Sequence, residues 1–296
     1  MRKKIFEIIV IGTSLLLAGC GSRGEVKRDA SGKQVLSGYI TLSGAFALYP
    51  LAIQWADEFH RLHPDVDIDI SAGGAGKGIT DVLADQVDIA MVSRELKPQE
   101  KEKGALAYAV AKDAVVATIN ANNPVYRKLL KTGLSQKQAS AIWEGKTKMN
   151  VYTRSDACGA AETWAAFLGK KQEDLKGTGV FGDPGVAETL QKDVNGIGFN
   201  NIGYAYNDKT HKPTKGIAIV PIDVNGNGKL DVEEKFYDTL DELMDAIAKG
   251  KYPAPPARNL YLVTAGKPKN PVVVEFLKYV RTKGQRLNAP AGFVHI

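Results

Sequence analysis

The sequence predicts an α/β fold in which parallel strands are covered by helices, and three observations lead there. Apolar residues alternate along most of the chain between the strand period of two and the helical period near 3.6. Three segments rich in Gly and Ala sit where a strand pattern gives way to a helix pattern. The 296 residues are 44% hydrophobic and 24% charged, the balance of a globular protein with material for two ordinary domains or one large one.

The N-terminal text comes first. Arg2, Lys3 and Lys4 form a basic head, Ile5–Leu17 is mostly apolar, and Leu17-Ala18-Gly19-Cys20 is a lipobox pattern. Such a run is too short and too interrupted to span a bilayer, which takes ~20 apolar residues. It predicts a lipoprotein signal peptide over 1–19 and lipidation of Cys20. The protein is then expected at the cell membrane, on the extracytoplasmic side, held by its lipid anchor. Cys158 is left without an intramolecular disulfide partner. Residues 20–37 are polar and aperiodic and are expected to be a flexible tether.

The strand and helix text follows. Tyr39–Leu42 predicts a strand. Leu48, Leu51, Ala52, Trp55, Phe59 and Leu62 recur at helical spacing. Val66, Ile68 and Ile70 alternate as in a strand, Ile79–Leu83 opens a helix, and Asp88–Val92 returns to strand. This βαβαβ run argues for a parallel sheet. Ala114–Asn120 predicts a buried strand; Tyr126–Lys131 and Gln136–Trp143 predict helices; Asn150–Leu168 predicts strand, loop and helix. Gly177–Gly185 and Gly196–Gly203 read as loops. Ile217–Ile222 and Leu260–Val263 predict strands, and Thr239–Lys249 and Pro271–Arg281 helices. Trp55, Trp143 and Trp164 fall on amphipathic helices and are expected in the core.

Charge narrows the function. Without Arg2, Lys3, Lys4 and Glu7 the net charge falls from +6 to +4, with both signs interspersed. No basic stripe with interleaved aromatics predicts nucleic-acid binding. No nucleophile-and-base set is identifiable, so no enzyme activity is expected.

The junction loops are Ser43-Gly44-Ala45-Phe46-Ala47, Gly73-Gly74-Ala75-Gly76-Lys77-Gly78 and Arg154-Ser155-Asp156-Ala157-Cys158-Gly159-Ala160. Small residues let backbone N–H groups approach an anion, and a helix N-terminus adds partial positive charge. The second loop is not a Walker loop: Ser71 stands where its first glycine is needed, and Gly78 follows Lys77 in place of Ser or Thr. A separate twelve-residue stretch, Asp223–Glu234, matches D-x-[DN]-x-[DN]-G-x₅-E at every defined position. It predicts one structural calcium ion held by Asp223, Asn225, Asn227, the Lys229 carbonyl, Asp231 and a bidentate Glu234.

Taken together, GAFALYP from Gly44, GAGKGI from Gly74, DIAMVSR from Asp88, RSDACGA from Arg154 and NLYLV from Asn259 resemble the phosphate-binding proteins of ABC phosphate transporters. The resemblance spans Gly38 to Phe293. It implies a two-lobed periplasmic-binding-protein-like clamp, with mixed and parallel sheets flanked by helices. Lobe 1 would comprise 38–114 and 262–296, and lobe 2 would comprise 115–261. It implies an anion site at Phe46, Ala47, Ala75, Ser93, Arg94, Arg154, Cys158, Gly159 and Ala160. The expected partners are phosphate or a similar oxyanion and the permease subunits of an ABC importer, and the protein is expected to be a monomer. The alternative is a calcium-stabilised surface sensor or adhesion module with the same clamp. Where the family carries Ser or Thr, this chain has Ala45, Phe46, Ala75, Cys158 and Ala160, so several hydroxyl donors are gone.

Overall fold

The computed structural model describes residues 24–28 and 34–296. The signal-peptide stretch and Cys20 lie outside the described residues. In chain order the first elements are β1 (Glu25–Arg28), β2 (Gln34–Gly44), α1 (Tyr49–Leu62), β3 (Val66–Ala72), α2 (Ala75–Leu83), β4 (Ile89–Val92), α3 (Pro98–Glu102) and β5 (Ala105–Asn120). Next come α4 (Tyr126–Thr132), β6 (Leu134–Ser135), α5 (Gln136–Trp143), β7 (Asn150–Arg154), α6 (Gly159–Phe167), β8 (Thr178–Val180), α7 (Gly182–Lys192), β9 (Gly196–Asn201) and α8 (Ile202–Ala205). The last are β10 (Ile217–Val220), β11 (Ile222–Asp223), α9 (Leu240–Ala248), β12 (Ala257–Ala265) and α10 (Pro271–Val280).

The predicted βαβαβ unit forms: β2 pairs in parallel with β3 and with β4. The helix pattern from Leu48 becomes α1, with Pro50 in its first turn and Leu51, Ala52, Trp55 and Phe59 buried. Pro is tolerated there because its missing N–H has no intrahelical partner. Part of the expected tether is structured instead. Glu25–Arg28 pairs antiparallel with the start of β2, Val26 opposite Leu36, and Leu36 is buried. Ladder hydrogen bonds and one buried leucine outweigh the polar composition of this segment.

Both glycine-rich loop readings at 177–185 and 196–203 are corrected. The first holds β8 and the start of α7; the second holds β9 and α8. All six residues of β9 are buried. A Cβ on Gly198 would come within 3.1 Å of Val186, so this glycine serves close packing of helix on strand, not a turn.

Two large apolar cores result. The first joins Leu36–Ala111 with Leu260–Phe293 and centres on Trp55, Phe59 and Phe276. The second runs from Ala114 to Tyr252 and holds Trp143, Trp164 and Phe199. Among the described elements, only β5 and β12 run through both. They pair antiparallel from Ala257↔Ala114 to Ala265↔Ala105, with a register shift between Leu260 and Tyr261. Leu260 faces Ala111 and Tyr261 faces Ala109, so Val110 is the extra residue of a bulge, and its carbonyl accepts from the Gln285 and Asn288 side chains. The bulge lies where one core ends and the other begins. Beside it, Arg258 grips Asp113 and also donates to Thr163 at 3.1 Å.

Candidate functional site

All three junction loops meet at the seam between the two cores. Gly44 has φ 139°, and a Cβ there would lie 2.2 Å from the Met91 carbonyl oxygen, so only glycine fits. Its own carbonyl accepts from Gly73 and Gly74, both at 2.9 Å, which ties the first loop to the second. The Gly76 N–H crosses the seam to the Ala157 carbonyl at 3.0 Å, tying the second loop to the third. Gly159 packs on Ser93, where a Cβ would sit 2.4 Å from the serine Oγ. Phe46, Ala75, Ser93, Arg154, Cys158, Gly159 and Ala160 therefore share one region, although the loops are distant in sequence.

Arg154 is buried at the end of β7. Its Nε and Nη2 form a fork on Asp156, at 2.8 and 2.7 Å, and Nη1 donates to Asp183 at 2.7 Å. Burial opposes its charge, yet Asp183 and the neighbouring acidic groups hold its pKa above the ordinary arginine value. Three of the five guanidinium N–H groups are spent on carboxylates, and two remain. The Phe46 ring lies 5.4 Å from the guanidinium carbon, within cation–π range, and meets Phe181 edge-on at 5.7 Å.

Cys158 caps α6. Its Sγ accepts from the Ala161 N–H at 3.4 Å, and burial pushes the thiol up to about 12, against the pull of Arg154. Arg94 is buried and forked onto Glu100, at 2.8 and 2.7 Å, while its Nε lies 3.1 Å from Glu162. Asp156 also faces the second loop: a Cβ on Gly74 would lie 3.0 Å from its Oδ2.

Sequence reasoning missed Asp183, Glu100 and Glu162. Asp183 was hidden in glycine-rich text. Its Oδ1 accepts from the Asn201 backbone and its Oδ2 from the Asn201 side chain and Arg154, which makes it the anchor of the cluster. A buried Arg facing only Asp156 would have been the signal that a second carboxylate was due.

The calcium-type loop is separate from this seam. Asp223 and Glu234 are buried and turned to loop amides: Asp223 accepts from Gly226, Asn227 and Gly228, and Glu234 from Val224, Asn225 and Asp231. The Asn225 and Asn227 side chains both donate to Asp231. The Asn227 side chain also accepts from the Lys229 N–H. Among the described residues, no three or more His, Cys, Asp or Glu side chains are grouped to hold a metal ion. No helix among them is long and apolar enough to cross a membrane.

Comparison with known proteins agrees with the resemblance read from the sequence. The phosphate-binding protein PstS of Bacillus subtilis is 25% identical over 227 residues, covering 70% of this chain and 73% of its own. That of Pseudomonas aeruginosa is 27% identical over 297 residues, covering 88% and 83%. Among solved structures, a chain from Clostridium perfringens with bound phosphate has a TM-score of 0.71 at 22% identity, covering 88% of this chain and all of that one. An ABC-type phosphate transport receptor from Vibrio cholerae has a TM-score of 0.63 at 20% identity, covering 87% and 100%. The OxyR regulatory domain of Pseudomonas aeruginosa also shares the fold, with a TM-score of 0.52 at 9% identity, covering 82% and 96%. The fold alone therefore does not choose the ligand. The PBP superfamily domain family matches residues 29–283, and the chain belongs to that family.

Proposed function

We propose that this protein is an extracytoplasmic solute-binding protein, lipid-anchored through Cys20, that captures phosphate and delivers it to the permease subunits of an ABC importer. One observation carries the reading: three small-residue loops converge on Arg154, which keeps two N–H donors unspent after pairing with Asp156 and Asp183. The names of the sequence relatives supply the ligand class. In this reading the oxyanion takes backbone N–H groups near Phe46, Ala47, Ala75, Gly159 and Ala160. Ser93, Arg94 and Arg154 add side-chain donors, and Asp156 accepts the phosphate proton. Discrimination against sulfate then follows, because a fully ionised oxyanion has no proton to share with the Asp156 carboxylate, whose two oxygens are held in the Arg154 fork, and meets it as like charge.

Calorimetry with phosphate, arsenate, sulfate and molybdate tests this. Phosphate bound at least about tenfold more tightly than sulfate is the expected result. A non-phosphate oxyanion preferred by that factor would sink the phosphate assignment, and no binding by any of the four would sink the anion clamp. We also infer that the Asp223–Glu234 loop takes one calcium ion in a structural role. The support is the full ligand pattern and the burial of Asp223 and Glu234, for which no cationic side chain is an ion-pair partner among the described residues.

A further inference from the structure

Glu162 stands in the first turn of α6, on the second-core side of the seam. Its Oε1 lies 3.1 Å from Lys97 Nζ and its Oε2 lies 3.1 Å from Arg94 Nε. Both cations belong to the segment after β4, on the first-core side. Away from the crossing strands, these are the ion pairs that join the two sides among the described residues. Other links across the seam among the described residues include the Gly76–Ala157 backbone bond, the Tyr204 hydroxyl donating to the Phe46 carbonyl at 3.1 Å, and the contacts of Phe46 with Phe181 and with the Arg154 guanidinium. Arg94 is fixed independently by its fork on Glu100, so Glu162 closes onto a rigid target. The Arg94 Nε–H finds no aligned acceptor, so the attraction to Glu162 is one of charge and not of a formed hydrogen bond.

Glu162 is also the shared wall of two cavities. One, of about 670 Å³, reaches Arg154 and Lys171; the other, of about 780 Å³, reaches Lys112 and Arg258. The carboxylate therefore has room on either side to swing away, and its side chain keeps 28% exposure. It is held by charge and not by packing.

We propose that Glu162 is a positioning residue that latches the clamp: by bridging Lys97 and Arg94 it holds the two lobes together before any ligand enters. The latch rests on the geometry of the seam. Only its effect on affinity rests on the phosphate reading. An anion that binds the closed form gains apparent affinity in proportion to how much closed form exists beforehand. Partly exposed pairs are screened, so the closed population should fall as salt rises.

The test is small-angle scattering of the ligand-free protein, wild type and Glu162→Gln, at 50 mM and 1 M NaCl, with phosphate calorimetry alongside. Glu162→Gln should have the larger radius of gyration at low salt and return to the wild-type value with saturating phosphate. Wild type should expand at high salt while the variant changes little. The phosphate Kd should weaken by about threefold or more. Lys97→Gln, at a half-exposed side chain, should do the same more weakly and add little on top of Glu162→Gln. Superimposable ligand-free scattering of wild type and Glu162→Gln at both salts overturns the latch. So does tighter phosphate binding by the variant, which would make Glu162 a competitor for Arg94. Expansion of the ligand-free variant with no phosphate binding by either protein leaves the latch standing and removes the phosphate reading.

Discussion

Replacing Cys158 with serine separates a ligand-facing donor from a structural cap. The thiol is buried, and burial pushes it up to about 12, so near neutral pH it is an uncharged, weak donor. Its Sγ accepts from Ala161 at 3.4 Å. A serine Oγ can accept that same N–H and still donate its own proton to a bound anion. A hydrogen bond to a charged group is worth ~1.5–3 kcal/mol, which predicts a phosphate Kd tighter by about ten- to a hundred-fold. Stability should change little. Serine is a strong N-cap, worth ~1 kcal/mol, and the smaller atom leaves a void of similar cost. Titration calorimetry at pH 7.5 and a thermal melt read both quantities. Phosphate binding unchanged or weakened in a normally folded Cys158→Ser would show that position 158 does not face the anion, and the reasoning from missing hydroxyls would fail.

Four further outcomes are expected. Arg154→Ala should cost ~3–5 kcal/mol in urea unfolding, because Asp156 and Asp183 are left buried without their cation; a loss below ~1 kcal/mol would show the cluster does not depend on it. The Cys158 thiol sits above its ordinary 9.0, so its contribution to stability is complete below that pH and is lost as pH rises toward about 12. Wild type should therefore lose ~2 kcal/mol relative to Cys158→Ser between pH 8 and 10.5, and parallel pH curves would refute it. Calcium in hundredfold excess over its Kd should stabilise the protein by ~2.7 kcal/mol and do nothing for Glu234→Ala; no uptake at millimolar calcium rules the site out. Cys20→Ser should abolish acylation and membrane fractionation, and an unchanged membrane fraction would end the anchor proposal.

Local pattern in the sequence accounts for much of the architecture. The α1 face, the alternation in β3 and the run from Ala114 to Asn120 could be read because their burial follows a short period. The rest depends on partners far away in the chain. The middle of β5 carries Lys112 and Asp113, which spoil a strand reading until Arg258, 145 residues on, is seen to pair with Asp113. The glycines of β9 looked like turns because nothing local shows that Val186 and Leu190 press against them. At the site, the three loops were legible one by one from their small residues and from Arg154. Their mutual bonds, and the carboxylates Asp183, Glu100 and Glu162, were not. Those carboxylates answer charges on other elements, and a linear reading has no period for that.

The first core is assembled from both ends of the chain, Leu36–Ala111 and Leu260–Phe293, while the second is contiguous between them. Synthesis runs from N to C, and domains generally fold as units. The buried members of the second core are all made once Tyr252 has emerged, with Ala257 of β12 and Val294 still to pack against it. The first cannot close until β12 and α10 arrive, some hundred and fifty residues after its own β5 was made. Throughout that interval β2, β3 and β4, packed by α1 and α2, wait without α10 and with a vacant sheet edge, the place that β12 will fill. A chain emerging in order therefore depends, for its opening half, on whatever keeps an unfinished sheet from pairing with a stranger.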